Sequence, residues 1–206
     1  MKRLTSLPSL RRFEIDAAIL VGGQGRRLGG QDKSGLVIDG VTVLDRLLAV
    51  LQAVPATVML VGGPGDRTWP AGVRVVPDAE PGLGPLGGIH AALTHVTGDR
   101  ALILACDMPF LTAPFLAWLA GQVREADVTV PRDRRGVHPL CAVWATTAMP
   151  VVGRLLDRGI RKVGTALEAL HVQVVEGTTL EAFDPDGWLL HNINTPDDYQ
   201  RALARR

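Results

Sequence analysis

Short apolar runs rich in Val, Ile and Leu alternate with longer stretches of helical character along the chain. Runs that are apolar at every position, rather than at alternate positions, indicate strands that are buried on both faces. The pattern predicts strands at about 16–21, 56–61, 73–77, 100–105, 127–131, 140–144 and 171–175. It predicts helices at about 42–53, 87–96, 112–124, 146–157, 161–170 and 196–204. The last helix has a defined start, with Thr195 as its N-cap and Pro196 in the first turn.

This alternation of strands and helices is typical of an α/β fold. We therefore predict a single three-layer α/β/α domain over residues 16–206, with a mostly parallel, Rossmann-like sheet. Residues 1–15 are basic and interrupted by Pro8, and are expected to form a flexible N-terminal arm. The chain has 206 residues, of which 47% are hydrophobic, and is long enough to bury a sizeable core.

The charge of the chain argues against two classes of partner. The formal net charge is +1 at pH 7, so no basic surface is expected for nucleic acid or for an anionic membrane. No apolar run reaches the roughly 18 residues that a membrane span requires, and residues 1–16 lack the apolar core of a secretion signal. We expect a cytoplasmic protein. Cys106 and Cys141 each lie in an apolar run and are expected to be free, buried thiols.

The segment 20–33, which follows the first predicted strand, contains five glycines, two arginines and one lysine. Glycines let backbone N–H groups approach an anion, and the cations add the charge that a polyphosphate needs. A Walker A loop is excluded because Asp32, not glycine, precedes Lys33. A dinucleotide-binding G-x-G-x-x-G is excluded because Leu28 occupies the place of its last glycine. The segment predicts a nucleotide-phosphate site of another kind.

Two aspartates follow predicted strands at the edge where ligands bind in such sheets. Asp78 follows the strand at 73–77, and Asp107 follows the strand at 100–105. A carboxylate directly after an apolar strand is costly to bury without a cation, and Mg²⁺ binds one or two carboxylates together with substrate phosphates. Asp107 is therefore a candidate metal ligand. Alternatively, it caps the helix that begins near residue 112, or it is an ordinary turn residue. By itself, Asp78 is better explained as an ordinary loop residue that precedes Pro81 and Gly82.

A glycine-rich segment at 82–89 opens the next predicted helix. Its free N–H groups, beginning near Gly84, would face an anion or a nucleotide. Alternatively, its small residues would let the helix pack closely against the sheet. His138 lies in a charged loop, and by charge patterning alone that loop is solvated.

Together these motifs resemble those of the molybdenum cofactor guanylyltransferases, the MobA family, within the nucleotidyltransferases of the glycosyltransferase-A-like superfamily. The segment 20–33 matches L-x-G-G-x-x-x-R-L-G-G-x-D-K, 82–89 matches G-x-G-P-L-x-G-I, and 106–109 matches C-D-x-P. Further matches are H-P-L at 138–140, G-x-R-x-V at 159–163 and N-I-N-T-P at 192–196. The motifs follow the family's order from about Ala17 onward. One departure is Val61, where members often carry an asparagine that contacts the nucleotide.

The resemblance implies a role for each matching residue. The catalytic residues would be Lys33, Arg27 and Asp107, and Asp107 would also hold Mg²⁺. The nucleotide-binding residues would be Leu20, Val21, Gly22, Gly23, Arg27, Lys33, Asp78, Gly84 and Asp107. The pterin substrate would contact His138, Arg161, Asn192 and Asn194.

The reaction that the resemblance implies is transfer of GMP from Mg-GTP to the terminal phosphate of molybdopterin, or of its molybdenum-loaded form, with release of pyrophosphate. Gly22 leaves room for a purine, which favours GTP over CTP. No general base is needed, because the second pKa of a phosphomonoester is about 6. Further implied partners are accessory proteins of cofactor synthesis and the recipient molybdoenzymes. A cytidylyltransferase for the same pterin, another small-phosphate nucleotidyltransferase and a non-catalytic nucleotide sensor remain alternatives.

Overall fold

In the computed structural model, residues 15–22, 33–54, 56–63, 68–77, 82–122 and 125–205 are described. A mixed sheet organises these residues. The strands in the described ranges are β1 (Ile15–Leu20), β2 (Val37–Ile38), β3 (Val41–Thr42), β4 (Ala56–Val61), β5 (Arg74–Val76), β6 (Arg100–Ala105), β7 (Val128–Asp133), β8 (Gly136–Val137), β9 (Cys141–Ala145) and β10 (Val172–Val175).

The main sheet has the strand order β10-β7-β9-β6-β1-β4-β5, and β8 pairs with the end of β7. Strand β1 runs parallel to both of its neighbours, β4 and β6, and β10 runs parallel to β7. Strand β9 is antiparallel to both β6 and β7. The predicted α/β fold with a mostly parallel sheet is therefore confirmed.

The helices pack on both faces of this sheet. Those in the described ranges are α1 (Val43–Leu51), α2 (Gly84–His95), α3 (Ala113–Gly121), α4 (Met149–Asp157), α5 (Val163–Glu168), α6 (Thr178–Glu181) and α7 (Pro196–Ala204). Single turns of 3₁₀ helix cover Lys33–Gly35 and Thr146–Ala148. None of the helices in the described ranges is long and apolar enough to cross a membrane.

Alternate residues of β6 show why both faces are covered. Leu102 and Leu104 belong to the core that contains α1, α3 and α7, whereas Ala101 and Ile103 belong to the core that contains α2, α4 and α5. All four side chains are completely buried. Since successive residues of a strand point to opposite faces, a wholly apolar strand needs a helical layer on each side.

The strand order reverses at β1, and this reversal positions the site. The chain leaves β1 for β4 and β5 on one side, then returns through α2 to β6 on the other side. The carboxyl ends of β1 and β6 are therefore neighbours, and the Cys106 amide donates to the Leu20 carbonyl at 3.3 Å. Ligands of open α/β sheets bind at such a switch point.

The described residues contain elements that were not predicted, namely β8, α6 and an antiparallel hairpin, β2–β3, that precedes α1. The hairpin's turn residues Asp39 and Gly40 both have positive φ, 50° and 77°. These angles are those of the tight turn that favours Asp-Gly. The strands have only two residues each, too few to produce a clear apolar alternation, but the Asp-Gly pair is a signal that identifies the turn.

Candidate active site

Asp107 lies directly beyond the carboxyl end of β6, and only 8% of its surface is exposed. Its Oδ2 accepts a hydrogen bond from Lys33 Nζ at 2.8 Å, and its Oδ1 accepts one from Asn192 Nδ2 at 2.9 Å. Its backbone carbonyl also accepts from the Ile193 amide at 2.9 Å. Both carboxylate oxygens are thus engaged by side chains that lie far away in the sequence.

Lys33 reaches this carboxylate from the start of the 3₁₀ turn that precedes β2. Its Nζ also donates to Asn194 Oδ1 at 2.5 Å. The side chains of Lys33 and Asp107 are 22% and 11% exposed, so the ion pair is largely shielded from water. Loss of one partner would leave an uncompensated charge in a partly buried position. We call Lys33, Asp107, Asn192 and Asn194 the lysine–aspartate cluster.

The two asparagines are held in place by the buried residue between them and by the helix that follows. Ile193 is completely buried, and α7 begins three residues later. Thr195 caps α7 as predicted, because its Oγ1 accepts from the Asp198 amide at 3.1 Å. Asp198 Oδ2 accepts in return from the amides of Thr195 and Asn194 at 2.9 and 3.1 Å. This capping box therefore fixes the backbone of Asn194.

The charge of Asp198 matters for this arrangement. Burial alone would raise the pKa of Asp198, but the hydrogen bonds from Thr195 and Asn194 outweigh it, so the pKa lies below its usual range. A carboxyl group with a lowered pKa in the folded protein adds stability above its unfolded pKa of about 3.9. That stability is lost as the pH falls through the lower, folded value.

We expect Asp198→Asn to lower the free energy of unfolding at pH 7 by about 1 kcal/mol, the usual effect of losing a helix cap. The difference from the wild type should shrink as the pH falls below about 4. It should disappear only once the pH is below the lowered pKa of the folded carboxyl group, where the wild type is protonated as well. Urea denaturation at pH 7, and at a series of pH values from about 4 down to about 2, measures both. Asp197→Asn is the matched control, because Asp197 is exposed and pairs only with Arg201 among the described residues. A pH-independent difference would show that the charge of Asp198 is not what stabilises the cap.

A second group of polar residues continues from the lysine–aspartate cluster. Arg135 Nη1 lies 2.9 Å from Nδ1 of His191, the residue before Asn192, and Arg135 also pairs with Asp133. His138 Nε2 lies 2.8 Å from Asp133 Oδ1. We call Asp133, Arg135, His138 and His191 the histidine group. It links the β7–β8 hairpin to the segment that carries both asparagines.

Two pKa values in the histidine group are shifted. Burial alone would raise the pKa of Asp133, but contacts with His138 and Arg135 outweigh it and lower the pKa. Burial lowers the pKa of His191, and the positive charge of Arg135 lowers it further. Since the arginine can only donate, it favours the neutral imidazole that carries its proton on Nε2.

Comparison with known proteins identifies the family. A family model described as "MobA-like NTP transferase domain" matches residues 17–172. The chain belongs to this family. The resemblance seen in the sequence motifs is thus confirmed, and the protein is a nucleotidyltransferase.

Relatives of this MobA-like protein match it over nearly their whole length. A "Molybdenum cofactor guanylyltransferase" of Desulfosudis oleivorans is 33% identical, covering 92% of this chain and 95% of the relative. A "Probable molybdenum cofactor guanylyltransferase" of Pelotomaculum thermopropionicum is 35% identical, covering 92% of both chains. The crystal structure of molybdopterin-guanine dinucleotide biosynthesis protein A from Archaeoglobus fulgidus superimposes with a TM-score of 0.78 at 31% identity. It covers 91% of this chain and 96% of that one.

The MobA-like motifs do not all fall in described residues. Gly23, Arg27 and Asp78 lie outside the described ranges, as does the predicted arm except Ile15. Leu20 and Val21 are buried at the carboxyl end of β1, where the Val21 amide donates to the Val61 carbonyl at 2.9 Å, and Gly22 is exposed. The structure thus brings the end of β1 to the same edge as Lys33 and Asp107.

Gly84 is the first residue of α2 and has a φ of 65°, a conformation that glycine adopts without strain. Further along the helix, a Cβ atom at Gly88 would lie 3.3 Å from Leu20. Small residues therefore let α2 pack closely against the end of β1. This is the second of the two roles that the sequence suggested for the segment 82–89. This packing also holds the start of α2 near the carboxyl edge of the sheet.

Arg161 lies outside the lysine–aspartate cluster. It is exposed in the connection between α4 and α5, and it forms no hydrogen bond or ion pair with any described residue. Arg135, by contrast, contacts His191 beside the cluster, although the charged loop that also contains His138 was expected to be solvated. The one local signal for His191 is its place directly before Asn192.

Proposed function

We propose that the protein transfers GMP from Mg-GTP to the terminal phosphate of molybdopterin or its molybdenum-loaded form, releasing pyrophosphate. The observation that carries the proposal is the contact between Lys33 and Asp107 at the switch point, in a chain of the MobA-like family. The names of relatives at 33% and 35% identity support GTP and the pterin as substrates. The name of the Archaeoglobus protein supports a guanine dinucleotide as product.

The reaction needs charge neutralisation more than proton transfer. An oxygen of the acceptor phosphate forms a bond to the α-phosphorus of GTP, and the bond from that phosphorus to the bridging oxygen breaks. The pyrophosphate leaves with the electron pair. Because a phosphomonoester with a second pKa of about 6 is already ionised near neutral pH, no base has to remove a proton. Positioning and electrostatic stabilisation remain as the catalytic tasks.

The cysteines do not fit an alternative, covalent route. Both Cys106 and Cys141 are buried, and burial raises the pKa of the Cys141 thiol far above its usual range. The thiolate is the nucleophilic form, so a neutral buried thiol is unreactive. This supports direct transfer between the two phosphates.

The residues around Asp107 suit a divalent metal ion. Asp107 offers carboxylate oxygens, which hard cations such as Mg²⁺ prefer, and the Lys33 ammonium already places positive charge against them. In the described residues, no group of three His, Cys, Asp or Glu side chains could hold a metal alone. A single carboxylate fits a metal that shares its ligands with substrate phosphates. Asp107 would hold Mg²⁺, and the bound ion would neutralise charge on the phosphate oxygens.

The remaining predicted residues take roles around this centre. Lys33 and Arg27 bind the β- and γ-phosphates, and the backbone at 20–23, together with Asp78 and Gly84, holds the nucleoside. The pterin lies on the side of His138, Arg161, Asn192 and Asn194. The histidine group supports this division, because it connects His138 to the segment next to Asn192.

The test is nucleotide selectivity. With Mg²⁺ and GTP at a hundredfold excess over the dissociation constant, binding adds about 2.7 kcal/mol to stability. For a chain of this size, the melting temperature should then rise by roughly 5–10 °C. CTP and ATP at the same concentration should give a smaller rise. Adding molybdopterin should then release pyrophosphate from GTP.

Each alternative has its own outcome in this experiment. Turnover with CTP in place of GTP would identify a cytidylyltransferase. Stabilisation by GTP without pyrophosphate release for either form of the pterin would identify a nucleotide sensor. Omission of Mg²⁺ is the control for the metal.

A further inference from the structure

The ammonium of Lys33 and a divalent metal ion would compete for the same carboxylate. Asp107 Oδ2 accepts from Lys33 at 2.8 Å, and Asp107 Oδ1 accepts from Asn192 at 2.9 Å. Mg²⁺ binds a carboxylate oxygen at about 2.1 Å. If Oδ2 served both, the doubly charged ion would lie within a few ångströms of the ammonium, in a position shielded from water.

We infer that Lys33 is a resident cation, which occupies the metal position on Asp107 until a metal–nucleotide complex arrives. This inference rests on the proposed role of Asp107 as the metal ligand. The lysine then leaves the carboxylate for the β- and γ-phosphates as the metal takes its place. The total charge beside Asp107 stays positive throughout, so the carboxylate is never left buried and unpaired.

Asn194 is the positioning residue in this exchange. Its Oδ1 accepts from Lys33 Nζ at 2.5 Å, while its backbone amide is held by Asp198. The neutral amide directs the ammonium to Asp107 without adding negative charge that would attract a second cation. The segment that carries Asn194 is itself anchored to Asp107 through Ile193. The structure therefore holds the lysine at the carboxylate through a polar but uncharged partner.

One consequence is an order of binding. The protein should bind free metal weakly and metal–nucleotide tightly, since only the nucleotide offers Lys33 new anionic partners. Lys33 should thus have opposite effects on the two ligands: it opposes free metal and favours metal–nucleotide. A lysine that only neutralises phosphates would affect the second ligand alone.

The test is a titration of the whole protein with Mn²⁺ in the absence of nucleotide. Electron paramagnetic resonance measures the concentration of free Mn²⁺ at each step and so gives the affinity. Lys33→Met should bind Mn²⁺ at least 10-fold more tightly than the wild type, whereas Lys33→Arg, which keeps the cation, should stay weak. The double variant Lys33→Met, Asp107→Asn should lose the gain. Lys162→Met is the matched control, because Lys162 is exposed and lies outside the cluster. With Mn-GTP, the order should reverse, and Lys33→Met should bind more weakly than the wild type.

Asn194→Ala provides a second test that keeps both charges of the ion pair. The ammonium loses one of its two anchors, so Mn²⁺ affinity should increase about threefold. Free-metal affinity within twofold of the wild type in both Lys33→Met and Asn194→Ala would overturn the inference. That result would not contradict the proposed transfer of GMP from GTP. Conversely, failure of the wild type to turn over GTP would reject the proposed function but would not alter the metal titration.

Discussion

Asp107→Asn is expected to lower metal-dependent nucleotidyl transfer by at least about 1,000-fold. The substitution keeps the shape of the side chain and an oxygen that can accept from Asn192, but it removes the charge that attracts the metal. A catalytic metal contributes several kcal/mol of transition-state stabilisation, and each 1.36 kcal/mol corresponds to about tenfold in rate. Pyrophosphate release under single-turnover conditions, measured across a range of Mg²⁺ concentrations, gives the loss directly.

Asp16→Asn is the matched control for this prediction. Asp16 is the other buried aspartate among the described residues, and it lies at the opposite edge of the sheet. Its Oδ2 accepts from the amide and the hydroxyl of Thr97 at 2.6 and 3.0 Å. Asp16→Asn should therefore destabilise the fold while keeping the dependence on Mg²⁺. Normal turnover in Asp107→Asn would remove Asp107 from the metal site.

Lys33→Met is expected to lower kcat/KM for GTP by about 100- to 1,000-fold. The reason is charge: the leaving pyrophosphate gains negative charge, and a preorganised cation or donor at such a position contributes about 2.7–4 kcal/mol. The loss should appear in kcat, because additional charge develops on the leaving group in the transition state, and also in KM, because the variant loses its contact with the phosphates of bound GTP. Steady-state kinetics with GTP varied at saturating pterin separate kcat from KM.

Two variants define what the Lys33 result means. Lys33→Arg keeps the charge but changes its geometry, so it should retain more activity than Lys33→Met. Lys162→Met removes a lysine from the exposed N-cap position of α5 and should leave the rate unchanged. An unaltered kcat/KM in Lys33→Met would show that the lysine does not act on the leaving group.

The fold was largely predictable because the central strands are mostly apolar on both faces. Strand β6 is the clearest case, since five of its six residues are buried by helices on two sides. The antiparallel direction of β9 was harder to predict, although the length of its connection to β7 indicates it. Only seven residues separate Asp133 from Cys141, too few for the crossover that parallel neighbours require.

The site was predictable in outline, and its contacts were not. Motif spacing indicated that Lys33 and Asp107 share an edge, but they are 74 positions apart, and their direct ion pair depends on the conformation of both side chains. The link between Arg135 and His191 spans 56 positions and carries no motif. It arises because the β7–β8 hairpin extends toward the segment before α7. The roles of the predicted substrate contacts stay predictions.

Contacts between distant parts of the chain also decide when the protein can become active. Asn194 meets Lys33 across 161 positions, and the Tyr199 hydroxyl donates to the Val37 carbonyl at 2.7 Å across 162. A growing chain therefore contains every strand of the main sheet before it contains the two asparagines of the lysine–aspartate cluster. Proteolytic removal of the segment from Asn192 onward would take away two of the four residues of the lysine–aspartate cluster, and we expect it to abolish the proposed transfer.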